Sequence, residues 1–78
     1  MTTTVNGEAY VPRDGETVLD LIAARTGRPL GPDGRPLDGD RLGLAVAIDR
    51  AVVPRGSWAR TLLADGQQID IVTAVQGG

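Results

Sequence analysis

Gln68-Ile69-Asp70-Ile71-Val72-Thr73-Ala74-Val75-Gln76-Gly77-Gly78 closes the chain. Its first eight residues are rich in β-branched side chains, read as a strand, and deliver two glycines out of a folded body. Alternation along that strand sends Ile69 and Ile71 toward a core and leaves Asp70, Val72 and Ala74 on the opposite face. The diglycine is a poor anchor, because glycine has no side chain to pack and the highest backbone freedom of any residue. It suits a reactive end instead: with no Cβ, residues 75–78 form a mobile tail that can thread a narrow channel in another protein and present the unhindered Gly78 carboxylate there.

Working backward, Asp65-Gly66 marks the turn before this strand. Arg55 to Leu63 places Trp58, Leu62 and Leu63 at i, i+4 and i+5, which predicts one or two helical turns with Trp58 as a plug over the end of the core beside the two leucines. Leu44 to Ile48 and Ala51 to Val53 form a hairpin turned at Asp49-Arg50 and stopped by Pro54, which cannot donate to a ladder. Val46 and Ile48 point inward and Ala47 outward. The stretch from Gly27 to Gly43 holds five glycines and three prolines and repeats Gly27-Arg28-Pro29-Leu30 as Gly34-Arg35-Pro36-Leu37. So many breakers predict a flexible Gly/Pro-rich loop over residues 27–43, either a partner-binding loop or a tolerated insertion.

Earlier still, Thr17 and Asp20 form a capping-box variant at the start of a helix running to about Thr26. Val18, Leu21 and Ile22 supply its apolar stripe, and Gly27 is placed to close it as a left-handed cap. Asn6-Gly7 between β-prone stretches predicts a two-residue type I′ hairpin within Thr2 to Val11. The order is therefore strand, strand, helix, strand, strand, short helix, strand. A helix lying across one face leaves the first strand free to pair with the last, giving a mixed sheet of about five strands in a single α+β roll over residues 1–78.

Composition removes whole chemistries. The 78 residues contain no Cys, His, Phe or Lys, and all eight positive charges are Arg. That excludes a disulfide framework, a thiolate zinc site, a Cys nucleophile and a Lys Schiff base, and no metal site is expected. A formal charge of −2 argues against nucleic acid as a partner. The N-terminal Met1-Thr2-Thr3-Thr4 lacks a signal-peptide pattern and no apolar run reaches spanning length, so a cytoplasmic location and no membrane partner are the expectation.

This order, the diglycine end and the body without catalytic side chains resemble the ubiquitin-like, β-grasp sulfur carriers of the ThiS/MoaD family. Val5-Asn6-Gly7-Glu8, then Val52-Val53-Pro54-Arg55 with Trp58-Ala59, then Ala64-Asp65-Gly66 leading through the last strand to Gly77-Gly78 carry the likeness. The Val-Val-Pro-Arg-x-x-Trp segment sides with the ThiS branch, which serves the thiazole of thiamine, over the molybdopterin branch. Nearly the whole chain is covered except the loop, which is longer than is usual in the family.

The resemblance implies a protein cosubstrate rather than an enzyme. A ThiF-like adenylyltransferase, using its own ATP and Mg²⁺, would adenylate the Gly78 carboxylate, and a sulfur donor such as a cysteine desulfurase would convert it to a thiocarboxylate consumed by a ThiG-like thiazole synthase. The carrier itself would bind no cofactor. Without cysteine, sulfur cannot ride as a persulfide, so Gly78 is the candidate reacting residue and Gly77 its spacer. Candidate partner-binding residues are Ala47, Val72 and Ala74 as a small exposed apolar patch, with Gln76 and Arg55 beside them. A MoaD-like carrier for molybdopterin or another sulfur-containing metabolite, a non-covalent β-grasp binding module and a protein-conjugating modifier stay open. Lacking lysine, the chain cannot build isopeptide chains on itself.

Overall fold

In the computed structural model, which describes residues 2–27, 29–35, 37 and 43–73, the hairpin signals become turns at the expected dipeptides. Asn6 (φ 52) and Gly7 (φ 83) turn β1 (Thr3–Val5) into β2 (Glu8–Tyr10). Asp49 (φ 50) and Arg50 (φ 71) turn β3 (Leu44–Ile48) into β4 (Ala51–Val53) with no glycine to relieve the left-handed backbone. Between the hairpins lies α1 (Val18–Thr26). Thr17 accepts from the Asp20 amide, the Asp20 carboxylate accepts from the Thr17 amide, and Gly27 closes the helix at φ 69.

The sheet order is β2-β1-β5-β3-β4, with β5 (Gln68–Thr73) in the middle. β1 and β5 run parallel; every other neighbouring pair is antiparallel. This is the mixed β-grasp sheet. Contacts distant in sequence lock the parallel pair: the Thr3 hydroxyl donates to the Ala64 carbonyl at 2.8 Å and accepts from the Gly66 amide at 3.1 Å. Asn6, whose backbone makes the turn, also extends the ladder, because its Oδ1 accepts from the Ile71 amide at 2.7 Å.

α1 buries Val18, Leu21 and Ile22 against Val5, Leu44, Val46 and Ile69 from the inner sheet face, and Trp58 closes the cluster. The Trp58 ring is 1% exposed and its Nε1 donates to the Val53 carbonyl at 3.0 Å. Removing a ring of that size from water is worth on the order of 4 kcal/mol before entropy, comparable with the low end of a net domain stability of roughly 4–12 kcal/mol. The indole is therefore central to the core.

One reading needs revision in detail. The segment after Pro54 is a 3-10 helix, Arg55–Arg60, and Thr61 returns to extended backbone (φ −101, ψ 105). Helical spacing thus does not reach Leu62, which bridges to Thr17 and stands 60% exposed, while Leu63 packs on the core. In the connector, residues 29–35 and 37 carry hydrogen-bonded turns: Gly31 N–H to the Arg35 carbonyl (2.8 Å), Gly34 N–H to the Gly31 carbonyl (2.9 Å), and Leu37 N–H to the Pro29 carbonyl (3.0 Å). The two copies of the repeat differ in setting, since Leu30 packs on the core and Leu37 is 69% exposed.

Candidate functional site

The helix and the core cover one face of the sheet; the other is open. Strand alternation decides what that open face carries. In β5, Ile69 is fully buried and Ile71 packs against the core, whereas Val72 is 63% exposed. Opposite Val72 in the antiparallel register stands Ala45, also exposed, and opposite Asp70 stands Ala47, half-buried. On its other side Ala47 faces Val52, which is 73% exposed. Val72, Ala45, Ala47 and Val52 thus form one apolar strip across β5, β3 and β4, with Asp70 and Gln68 along its border and a 3.2 Å hydrogen bond between their side chains.

The strip runs up to Thr73, the last described residue of β5. Ala74, Gln76, Gly77 and Gly78, all expected to belong to the site, lie outside the described residues. Ala47 and Val72 do share the open face, on adjacent strands and offset diagonally. Arg55 is not on that face. Its Nη2 donates to the Leu44 carbonyl at 3.0 Å and its guanidinium lies 5.4 Å from the centre of the Trp58 ring. Leu44 is nevertheless paired with Thr73, so Arg55 stands at the end of the sheet from which the chain continues toward Gly78.

Sequence reasoning missed Ala45 and Val52. Both were recoverable. Inward Leu44 and Val46 force Ala45 outward, and a two-residue turn at Asp49-Arg50 sets Val52 against the outward Ala47.

On the helix side of the sheet, Glu16 is 4% exposed. Its carboxylate accepts from the Tyr10 hydroxyl and, at 2.9 Å, from the Arg13 amide. Burial raises the Tyr10 hydroxyl above its ordinary 10.0; the hydrogen bond to Glu16 and the carboxylate's negative charge push the same way, against weaker lowering by Arg13 and Arg25. The shallow depression beside it, about 370 Å³ and lined in part by Arg13, Asp14, Glu16 and Asp20, holds no group of ligands suited to a metal ion among the described residues. These side chains fasten the first hairpin to the helix start.

A model of the ThiS family matches residues 2–78. The chain belongs to the ThiS family. It is 32% identical over 73 residues to the sulfur carrier protein ThiS of Escherichia coli (strain K12), a match that spans 94% of this chain and 92% of that protein. Membership extends over the open strip, the Pro54–Trp58 turn and the final diglycine alike. No helix of the described residues is long and apolar enough to cross a membrane.

Proposed function

We propose that this ThiS-family chain is a sulfur carrier in which Gly78 is the reacting residue and Gly77 the small spacer before it. The observation that carries the reading is a match to a sulfur carrier protein over 94% of this chain and 92% of that one, within a family match that takes in Gly77-Gly78. The open apolar strip next to the end of β5 supports it, because a surface of that kind suits a partner that must hold the body while working on residues beyond Thr73.

The chemistry follows from the weakness of a carboxylate as an electrophile. A Gly78 oxygen attacks the α-phosphorus of ATP on a ThiF-like adenylyltransferase, pyrophosphate leaves, and the acyl-adenylate forms. A sulfur nucleophile, such as a persulfide derived from a cysteine desulfurase, displaces AMP; a second thiol then cleaves the acyl disulfide and leaves Gly78 as a thiocarboxylate. The sulfur is now nucleophilic, and a ThiG-like thiazole synthase takes it for the thiazole of thiamine. In this reading the chain is a cosubstrate, while ATP and Mg²⁺ occupy the partner. No Cys or Lys of its own competes for the activated carbonyl.

Intact-mass measurement tests the central step. After incubation with ATP, Mg²⁺, the adenylating partner and a sulfur source, the full chain is expected to gain the mass difference between sulfur and oxygen, and the Gly78-deleted chain to gain nothing while unfolding at the same urea concentration. Equal modification of the two chains, or residues found beyond Gly78 in the mature protein, overturns the proposal. Feeding the product to thiazole synthase and to a molybdopterin-forming enzyme in parallel decides the acceptor. A charge placed on the strip, Val72→Asp, is expected to lower kcat/KM of adenylation by about tenfold or more; turnover equal to wild type discards the strip as the docking face.

A further inference from the structure

The β3–β4 ladder stops at an arginine side chain. The amide of Asp49 donates to the Gln68 carbonyl, so alternation turns the backbone groups of Ala45 and Ala47 toward β5 and those of Leu44, Val46 and Ile48 toward β4. Val46 is paired with Val53; two residues further along the same register, Leu44 would face Arg55 and bond to its amide. That does not happen. Pro54 (φ −58, ψ 143) ends the strand and Arg55 opens the 3-10 helix instead. The carbonyl of buried Leu44 would be left without its ladder donor, a costly state for a buried backbone group, and the Arg55 guanidinium supplies the missing bond at 3.0 Å.

Two further contacts hold Arg55 in that pose. Beneath it lies the Trp58 ring at 5.4 Å. Against its stem lies Gly34 of the connector, where an added Cβ would come within 2.3 Å of Arg55 Cγ and 2.7 Å of the Arg55 carbonyl oxygen. The residue so pinned, Leu44, is opposite Thr73.

We propose that Arg55 is a positioning residue: by capping the Leu44 carbonyl it keeps β5 zipped to β3 through Thr73, the last described pair of the strand that leads toward Gly78. This rests on the carrier reading above for its consequence, not for its geometry. A partner acting on Gly78 must fix every residue between Gly78 and the part of β5 that the sheet holds. Without the pin, the Leu44–Thr73 and Ala45–Val72 pairs open and two more residues are ordered at each encounter. Backbone ordering of that extent corresponds to a rise in KM of about thirty- to several-hundredfold with kcat nearly unchanged.

The test uses the full chain with Arg55→Met, which keeps the stem on Trp58 and removes the donor, and Arg55→Leu as a second donor-removing variant should the first fail to fold. Amide exchange of the free protein, read by NMR, is expected to rise at Ala45 and Val72 to the rate of exposed turn amides and to stay unchanged at Val5 and Ile69. ATP–pyrophosphate exchange with the adenylating partner is expected to show the KM rise. A higher KM with unchanged exchange at Ala45 and Val72 means that Arg55 touches the partner directly, and overturns the proposal; so does faster exchange with an unchanged KM. In the wild-type chain alone, Ala45 and Val72 amides no better protected than exposed turn amides would overturn it as well. If no variant, wild type included, is adenylated while the exchange changes as expected, the carrier reading fails and the pin at the end of β5 stands.

Discussion

Replacing Gly34 by alanine tests the packing of the connector on the core more sharply than any other single change. Gly34 sits at φ +79, where a side chain is strained by about 1–2 kcal/mol, and the added methyl meets the Arg55 carbonyl oxygen at 2.7 Å. That oxygen belongs to the backbone of the 3-10 helix and cannot swing aside, so overpacking adds about 1–3 kcal/mol, offset by about 0.4–1 kcal/mol from the stiffer unfolded chain. The net expectation is a loss of about 2–4 kcal/mol, a large part of a stability of roughly 4–12 kcal/mol. Gly15→Ala is the internal control: its φ is +76 but nothing lies within 4 Å of the new Cβ. It therefore isolates the backbone term, about 1 kcal/mol or less. Urea titration followed by the fluorescence of the only tryptophan, Trp58, reports both. With a slope of roughly 1.5 kcal/mol/M, the Gly34→Ala midpoint should fall by about 2 M, against about 0.5 M for Gly15→Ala. Equal losses for the two variants would refute the packing argument and leave only backbone strain.

Three other outcomes follow from named contacts. Arg50→Gly relieves a non-glycine residue at φ 71 in a type I′ turn and should raise stability by about 0.5–1 kcal/mol, seen as a melting temperature higher by about 2–8 °C. Asp49 should be kept in that variant, because its Oδ1 accepts from the Gln68 amide at 2.9 Å. Thr17→Ala removes the acceptor for the Asp20 amide and should lower stability by about 1 kcal/mol in the same urea assay. The Tyr10 hydroxyl is raised from 10.0 in the fold, so the folded state holds its proton more tightly than the unfolded state. Its contribution is complete below pH 10.0 and is lost as pH rises through the higher folded value; urea midpoints measured toward alkaline pH should fall for wild type and lose that step in Tyr10→Phe.

Local signals were legible because each is complete within a few residues. Thr17, Asp20 and Gly27 specify both ends of α1 through hydrogen bonds and a backbone angle that no distant residue can change. Asn6-Gly7 and Asp49-Arg50 specify the hairpins in the same way, although the second does so against the preference of Arg for negative φ. The inward and outward faces of β5 were legible from alternation, and with them Val72 as part of the candidate site. Helical spacing misplaced Leu62, since a 3-10 helix ending at Arg60 gives way to extended chain that sends Leu62 and Leu63 to opposite sides. The connector was read for its breakers alone, and composition does not report that Gly34 fits beneath Arg55.

From the order of residues by itself come the elements, the faces of the strands, the Cys- and Lys-free body and the diglycine that makes Gly78 the reactive candidate. Only tertiary structure decided the register of β5 against β1 and β3 and which side chains repair the places where a ladder stops. Thr3 reaches Ala64, Asn6 reaches Ile71 and Arg55 reaches Leu44. Those partners are chosen by closing a sheet over a buried tryptophan, and a carbonyl that lacks a donor exists only after the sheet has closed.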